Sequence, residues 1–181
     1  MLCFMSAPSV VSLSFRRTPP TCPPTLLRHD ALNPSLTRRA PNRFAPLLQA
    51  RATVDSPSRV IATASVAGIG IGSTGAASVP SYTASKAAVI HLIRHLAVDL
   101  GPKHILCNAI APGFFPSRMA NGLIEQMGGL ENMAKENPNG RMGQPNDIAG
   151  AVVYLASRAS AHVNGACIAI DGGKVWARAQ L

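Results

Sequence analysis

Tyr82 and Lys86 stand four residues apart, a spacing that stacks both side chains on one face of a helix. An ammonium held beside a phenol favours the phenolate, so such a pair could give and take a proton near neutral pH. Ser65 stands at the end of an apolar, β-branched run, Val60-Ile61-Ala62-Thr63-Ala64. A strand end can hold a hydroxyl rigidly. Between them lies a Gly/Ser-rich stretch from Gly68 to Pro80. Taken alone, Tyr-x-x-x-Lys is more often an ordinary surface pair than a catalytic one. It gains meaning only if the rest of the chain positions it.

The elements that would do so can be read from hydrophobic spacing. Residues 60–64 predict a buried strand. Val89, Leu92, Ile93, Leu96 and Leu100 fall at helical spacing, predicting a helix from Tyr82 to Leu100 that Gly101-Pro102 stops. Ile105–Ile110 reads as a second strand, closed by Pro112-Gly113. Short irregular helices are expected over 117–136. Asn146 or Asp147 could cap a helix running to about Ser157, and Ala166–Ile170 reads as a third strand, ended by Asp171-Gly172-Gly173. Strands without polar alternation, separated by helices, predict an α/β fold with a parallel sheet covered on both faces.

Composition divides the chain near Pro57. Residues 1–57 hold none of the 15 glycines and none of the 4 lysines, but 9 of the 15 prolines, with 7 Arg against Asp30 and Asp55. No period of 3.6 or 2 is sustained there, and the prolines interrupt any long helix, so the segment is expected to be disordered. It reads as an Arg-rich transit-like leader, a linker, or a stretch translated from non-coding sequence. Residues 58–181 carry all the glycine, with 10 basic and 6 acidic residues. The net charge of +9 therefore divides into +5 over residues 1–57 and only +4, dispersed, over residues 58–181. No basic stripe is interleaved with aromatic residues, which argues against a nucleic-acid partner. No apolar run approaches the roughly 18 residues of a membrane span. The 4 cysteines are too few and scattered for a disulfide framework.

Six blocks then recur in order: Ala64-Ser65-Val66-Ala67-Gly68; Ser81-Tyr82-Thr83-Ala84-Ser85-Lys86-Ala87-Ala88; Asn108-Ala109-Ile110-Ala111-Pro112-Gly113; Arg141-Met142-Gly143-Gln144-Pro145-Asn146-Asp147-Ile148-Ala149; Tyr154-Leu155-Ala156-Ser157; and Ile170-Asp171-Gly172-Gly173. The set closely resembles the second half of the short-chain dehydrogenase/reductase family, in the manner of 3-oxoacyl-carrier-protein reductases, over residues 58–176. The resemblance implies the last three strands of a doubly wound, Rossmann-like parallel sheet. It also implies reversible hydride transfer between NAD or NADP and a small carbonyl or alcohol. On this resemblance Tyr82 is the general acid/base and Lys86 its partner, which also binds the nicotinamide ribose. Ser65 hydrogen-bonds the substrate oxygen. Ile110, Pro112 and Gly113 resemble the wall against the nicotinamide ring, and Ser117 the contact to its carboxamide. Arg118 and Met119 resemble the start of a substrate flap, and Asn108 a residue that shapes the strand end. A homo-oligomer is implied for a complete protein, in the cytoplasm, or in mitochondria if the leader is genuine.

The chain also departs from the family pattern. No glycine-rich pyrophosphate turn precedes Ser65, so a truncated, catalytically inactive fragment is the alternative expectation. The first strand, lacking a neighbour, is expected to leave an open edge. Seventeen positions separate Ser65 from Tyr82, more than is usual, so Ser73 or Ser78 could be argued in place of Ser65. Gly70-Ile71-Gly72-Ser73-Thr74-Gly75 matches G-x-G-x-x-G, but Pro80 sits where the body of the following helix would be. His91 and His95 share a helical face without the Glu of H-E-x-x-H, which favours a surface or subunit contact over zinc. Cys107 and Cys167, central in apolar strands, read as small buried hydrophobes.

Overall fold

The structure, a computed structural model, describes residues 3–5, 10–13, 44–71, 78–117, 124–125 and 128–177. Five strands form one sheet in chain order: β1 (Cys3–Met5), β2 (Val10–Leu13), β3 (Ser58–Thr63), β4 (Ile105–Pro112) and β5 (Cys167–Ile170). β1 is antiparallel to β2, and every other pairing is parallel. The three strands expected from the sequence are all present, with β3 and β5 displaced by one or two residues from the expected bounds.

Helices cover both faces. α1 spans residues 44–49 and α2 spans Pro80–Leu100. α3 (Leu130–Lys135), α4 (Pro145–Ala156) and the short α5 (Lys174–Ala177) follow. Alternation along β3 sorts its side chains. Val60, Ala62 and Ala64 join Leu48 of α1 and Ile93, Leu96 and Leu100 of α2 in one apolar cluster. Ile61 points the other way, packing with Ile110 and Leu155 beneath α4. Both faces of the strand are thus buried, which is why it shows no polar alternation.

The described parts of residues 1–57 include β1, β2 and α1. β2 runs parallel to β3, with Val10 opposite Arg59 and Leu13 opposite Ala62, so the β3 edge expected to lie open is paired. Val10–Leu13 falls between Pro8 and Pro19, and a proline-free stretch can supply every ladder donor. α1 was hidden by Pro46. That proline is the third helical residue, where its missing N–H would have no intrahelical acceptor anyway. Ala45 and Leu48 are buried, and the Ser58 hydroxyl donates to the Leu48 carbonyl at 2.7 Å. Packing therefore begins upstream of the compositional change near Pro57.

β3 also carries a buried charge. Arg59 is 3 % exposed, its Nη1 donates to the Pro57 carbonyl at 2.8 Å, and among the described residues its Nε and Nη2 have no hydrogen-bond partner. Burial pushes this guanidinium below its ordinary pKa. α4 begins one to two residues before the caps expected at Asn146 or Asp147. Asp147 instead sits inside the first turn, and its carboxylate accepts the Gln144 N–H at 2.7 Å. Among the described residues, no helix is long and apolar enough to cross a membrane.

Candidate active site

The end of β3 and the first turns of α2 meet at the C-terminal edge of the sheet. Ser65 is extended (φ −166°, ψ 153°) and caps a 3-10 turn over Val66–Gly68, its Oγ accepting the Ala67 N–H at 3.2 Å. A serine hydroxyl has one donor and two lone pairs, so accepting the Ala67 N–H leaves its proton to donate to a carbonyl oxygen. The turn after Ser65 packs against α2 main chain to main chain. A Cβ added at Gly68 would stand 2.6 Å from the Lys86 carbonyl carbon and 2.7 Å from the Ala87 nitrogen. Only glycine permits that approach.

Tyr82 and Lys86 are both half-buried on one face of α2. Lys86 Nζ lies 5.7 Å from the centroid of the Tyr82 ring, within the range where a cation is attracted to an aromatic face. It donates to the Thr63 carbonyl at 3.0 Å. This single bond ties α2 to the strand end two residues before Ser65. Burial lowers the lysine's pKa from its ordinary value. With one N–H engaged, the ammonium keeps two donors for a ligand. Thr63 is a site residue that the sequence did not reveal, because its contribution is a main-chain oxygen.

The loop after β4 carries the residues expected to form the nicotinamide wall, and it is braced against the end of β5. Gly113 donates to the Ile170 carbonyl at 2.9 Å. A Cβ at Gly113 would lie 2.5 Å from the Asp171 Cβ. Pro112 and Gly113 are half-buried and Ser117 is exposed. Ile110, expected to form part of this wall, is 3 % exposed and packs in the core with Ile61 and Leu155. Asp171 fixes the last loop, accepting the Gly173 N–H (2.9 Å) and the Val175 N–H (2.7 Å). Val175 in turn reaches back to Gly70, where an added Cβ would stand 3.0 Å from its Cγ2.

The remaining expectations sort as follows. Asn108 does shape its strand: Nδ2 donates to the Val163 carbonyl and Oδ1 accepts the Ala166 N–H, at 2.8 Å and 2.9 Å. Asn164, missed from the sequence, works beside it, accepting the Cys107 N–H and donating to the Ala97 carbonyl. Ser78 is exposed. Ser73, most of the G-x-G-x-x-G match, Arg118 and Met119 lie outside the described residues. His91 and His95 are exposed on α2. Among the described residues, no three His, Cys, Asp or Glu side chains are grouped as a metal site. Cys107 is buried as expected, whereas Cys167 is only half-buried on the last strand of the sheet.

A serine at a strand end and a Tyr/Lys pair on the next helix are joined through a strand carbonyl, an arrangement suited to passing a proton to a carbonyl oxygen. The family model described as enoyl-(acyl carrier protein) reductase matches residues 42–174. The chain belongs to the short-chain dehydrogenase/reductase family. A Pseudomonas aeruginosa rhamnolipids biosynthesis 3-oxoacyl-[acyl-carrier-protein] reductase is 42% identical over 131 residues, 72% of this chain and 50% of that protein. A short-chain dehydrogenase/reductase of Diaporthe leptostromiformis is 37% identical over 142 residues, covering 73% of this chain and 46% of that one. A solved Pseudomonas aeruginosa structure, described as an NADP active-site complex, superposes with a TM-score of 0.66 at 40% identity. That match covers 75% of this chain and 53% of that one. The chain thus spans about half the length of the curated relatives it matches. The match begins at residue 42, so it takes in α1 as well as the blocks from residue 58 onward.

Proposed function

We propose that this chain carries the reacting end of an NAD(P)-dependent oxidoreductase acting on a small carbonyl or alcohol. The observation that supports the reading is the Lys86–Thr63 bond, which joins the helix carrying Tyr82 and Lys86 to the end of β3, two residues before Ser65. The same residues suit the nicotinamide end of a dinucleotide. Lys86 has free donors for ribose hydroxyls, and Pro112, Gly113 and Ser117 form a wall beside it. The nicotinamide supplies or receives the hydride when bound.

In the reducing direction, Ser65 donates a hydrogen bond to the substrate carbonyl oxygen. Tyr82 Oη gives its proton to that oxygen as the carbon gains a hydride, so the carbonyl becomes an alcohol. Lys86 holds positive charge beside the phenolate left behind and keeps the phenol ready for reprotonation from solvent. Oxidation of the alcohol reverses each transfer. Assembly into a homo-oligomer is part of the same proposal.

A second reading, a chain without catalysis of its own, is favoured by one sequence observation. Residues 1–57 hold no glycine and so offer no glycine-rich turn for a pyrophosphate. One experiment separates the two. NADPH and NADH are titrated calorimetrically against the 181-residue polypeptide, and reduction of a β-keto ester and a keto sugar acid is followed at 340 nm in wild type and Tyr82→Phe. The first reading expects saturable binding, turnover, and a loss of about 10²–10⁴-fold on removing the phenol. Absence of both binding and turnover supports the second. Undiminished turnover in Tyr82→Phe refutes the assignment of the proton donor.

A further inference from the structure

The segment leading into α4 meets the loop after β4 at Gly143. A Cβ added at Gly143 would lie 2.5 Å from both Cε1 and Cζ of Phe115 and 2.8 Å from its Cδ1. The ring therefore lies against the Gly143 main chain. The Gly143 N–H also points to the Phe114 carbonyl, at 3.4 Å. Gly143 has no positive φ, so close approach alone explains the glycine here.

The shelf beneath Phe115 is itself pinned. Arg141 makes a two-pronged ion pair with Asp147 of α4, at 2.7 Å and 2.8 Å. The same guanidinium donates to the Met142 carbonyl (3.0 Å), and buried Asn137 donates to the Arg141 carbonyl (2.6 Å). On its other side, the loop carrying Phe115 is held by the Gly113 N–H on the Ile170 carbonyl and by the close contact of Gly113 with Asp171.

We infer that Gly143 is a positioning residue: it seats the Phe115 ring and thereby fixes where Pro112, Gly113 and Ser117 stand relative to Tyr82 and Lys86. The functional part of this inference rests on the proposed oxidoreductase reading; the contact does not. A methyl group at 143 needs room that only movement of the ring can provide. Because Phe115 is two residues from Gly113 and from Ser117, the loop moves with it. Shortening the side chain at 115 restores the room, so the two substitutions should compensate.

The test uses Gly143→Ala, Phe115→Val and the double variant in the full chain. The first readout is amide hydrogen exchange at Gly113, whose N–H is bonded to Ile170, followed by NMR. Gly143→Ala is expected to speed that exchange at least about 10-fold, and Phe115→Val in the same chain to bring it back to within about 3-fold of wild type. The second readout is NADPH affinity, expected to weaken about 10-fold in Gly143→Ala and recover in the double variant. For any substrate turned over, KM should rise more than kcat falls. Unchanged Gly113 exchange in Gly143→Ala overturns the inference, as does a double variant no better than the worse single one. Looser exchange with unaltered NADPH affinity overturns the positioning role. If wild type itself fails to bind NADPH, the oxidoreductase reading fails while the exchange data still decide whether Gly143 seats the loop. Should Gly143→Ala not accumulate as folded protein, recovery of folding in the double variant supports the steric coupling, and its failure refutes it.

Discussion

Replacing Gly68 with alanine tests whether the frame of the site depends on direct contact between β3's outgoing turn and α2. The added Cβ would sit 2.6 Å from the Lys86 carbonyl carbon, 2.7 Å from the Ala87 nitrogen and 2.8 Å from the Lys86 oxygen. All three are main-chain atoms, so no rotamer change can relieve them. The gap must open to about 3.4 Å, where ordinary contact begins. Either the turn after Ser65 or the first half of α2 must therefore shift by somewhat under an ångström. Overpacking of this kind costs about 1–3 kcal/mol. At about 2–4 °C per kcal/mol for a domain of this size, the melting temperature should fall by roughly 2–12 °C. The same shift stretches the 3.0 Å bond from Lys86 Nζ to the Thr63 carbonyl. A displacement approaching 1 Å at a reacting group costs up to about 10²-fold in rate.

The assay need not depend on turnover. Burial holds the Lys86 pKa below its ordinary value. The pH dependence of its acetylation, read by mass spectrometry, reports whether the amine stays in place. In Gly68→Ala the midpoint should climb toward the ordinary lysine value as the amine gains water. Identical melting and acetylation profiles in wild type and Gly68→Ala would refute the argument that glycine at 68 sets the distance between strand and helix.

Three further outcomes are expected. Asp147 is held down to about 2 by the Arg141 guanidinium and by the Gln144 N–H. Its contribution to stability is present above the ordinary carboxylate value, where the unfolded chain has also ionised, and is lost as pH falls through about 2. Acid unfolding followed by circular dichroism should therefore lose part of its slope between pH 4 and about 2 in Asp147→Asn. Burial pushes the Cys107 thiol up to about 12, so it should resist iodoacetamide at about pH 8.5 in the folded chain and react on unfolding. That shift also stabilises the fold below the ordinary thiol value, an effect lost as pH rises toward about 12. Substituting Asn108 by leucine strands the Val163 carbonyl and the Ala166 N–H. It should cost about 2–6 kcal/mol in urea denaturation at about 1–3 kcal/mol per orphaned group, and an unchanged midpoint would contradict the assigned bonds.

The parts of this site visible in the sequence are those written as side chains at fixed spacing. Tyr82 and Lys86 announce their shared face because four residues make one helical turn. α2 was placed to within two residues because Gly101-Pro102 cannot continue it as a regular helix. Ser65 was anchored by the β-branched run before it. The hidden parts are contacts between segments far apart in sequence. The Thr63 oxygen belongs to a main chain that every residue shares. The seat of Phe115 on Gly143 joins positions 28 residues apart, and neither residue type implies the other. α1 is not legible because a proline breaks a helix everywhere except in its first turn, and the sequence does not mark where that turn lies. β2 was missed because a strand of four residues between prolines carries too short a pattern to register.

The bond between Lys86 and a main-chain oxygen has a consequence for how this protein can vary. Since the Thr63 side chain is not the acceptor, substitutions at 63 that keep the strand leave the lysine anchored. In a saturation library, position 63 should therefore accept valine, isoleucine or serine with little penalty. Position 68 should return almost nothing but glycine. Two neighbouring sites serving the same piece of geometry would then differ sharply in mutational tolerance. A scan of tolerance alone would score position 63 as unimportant, although its oxygen holds the lysine in place.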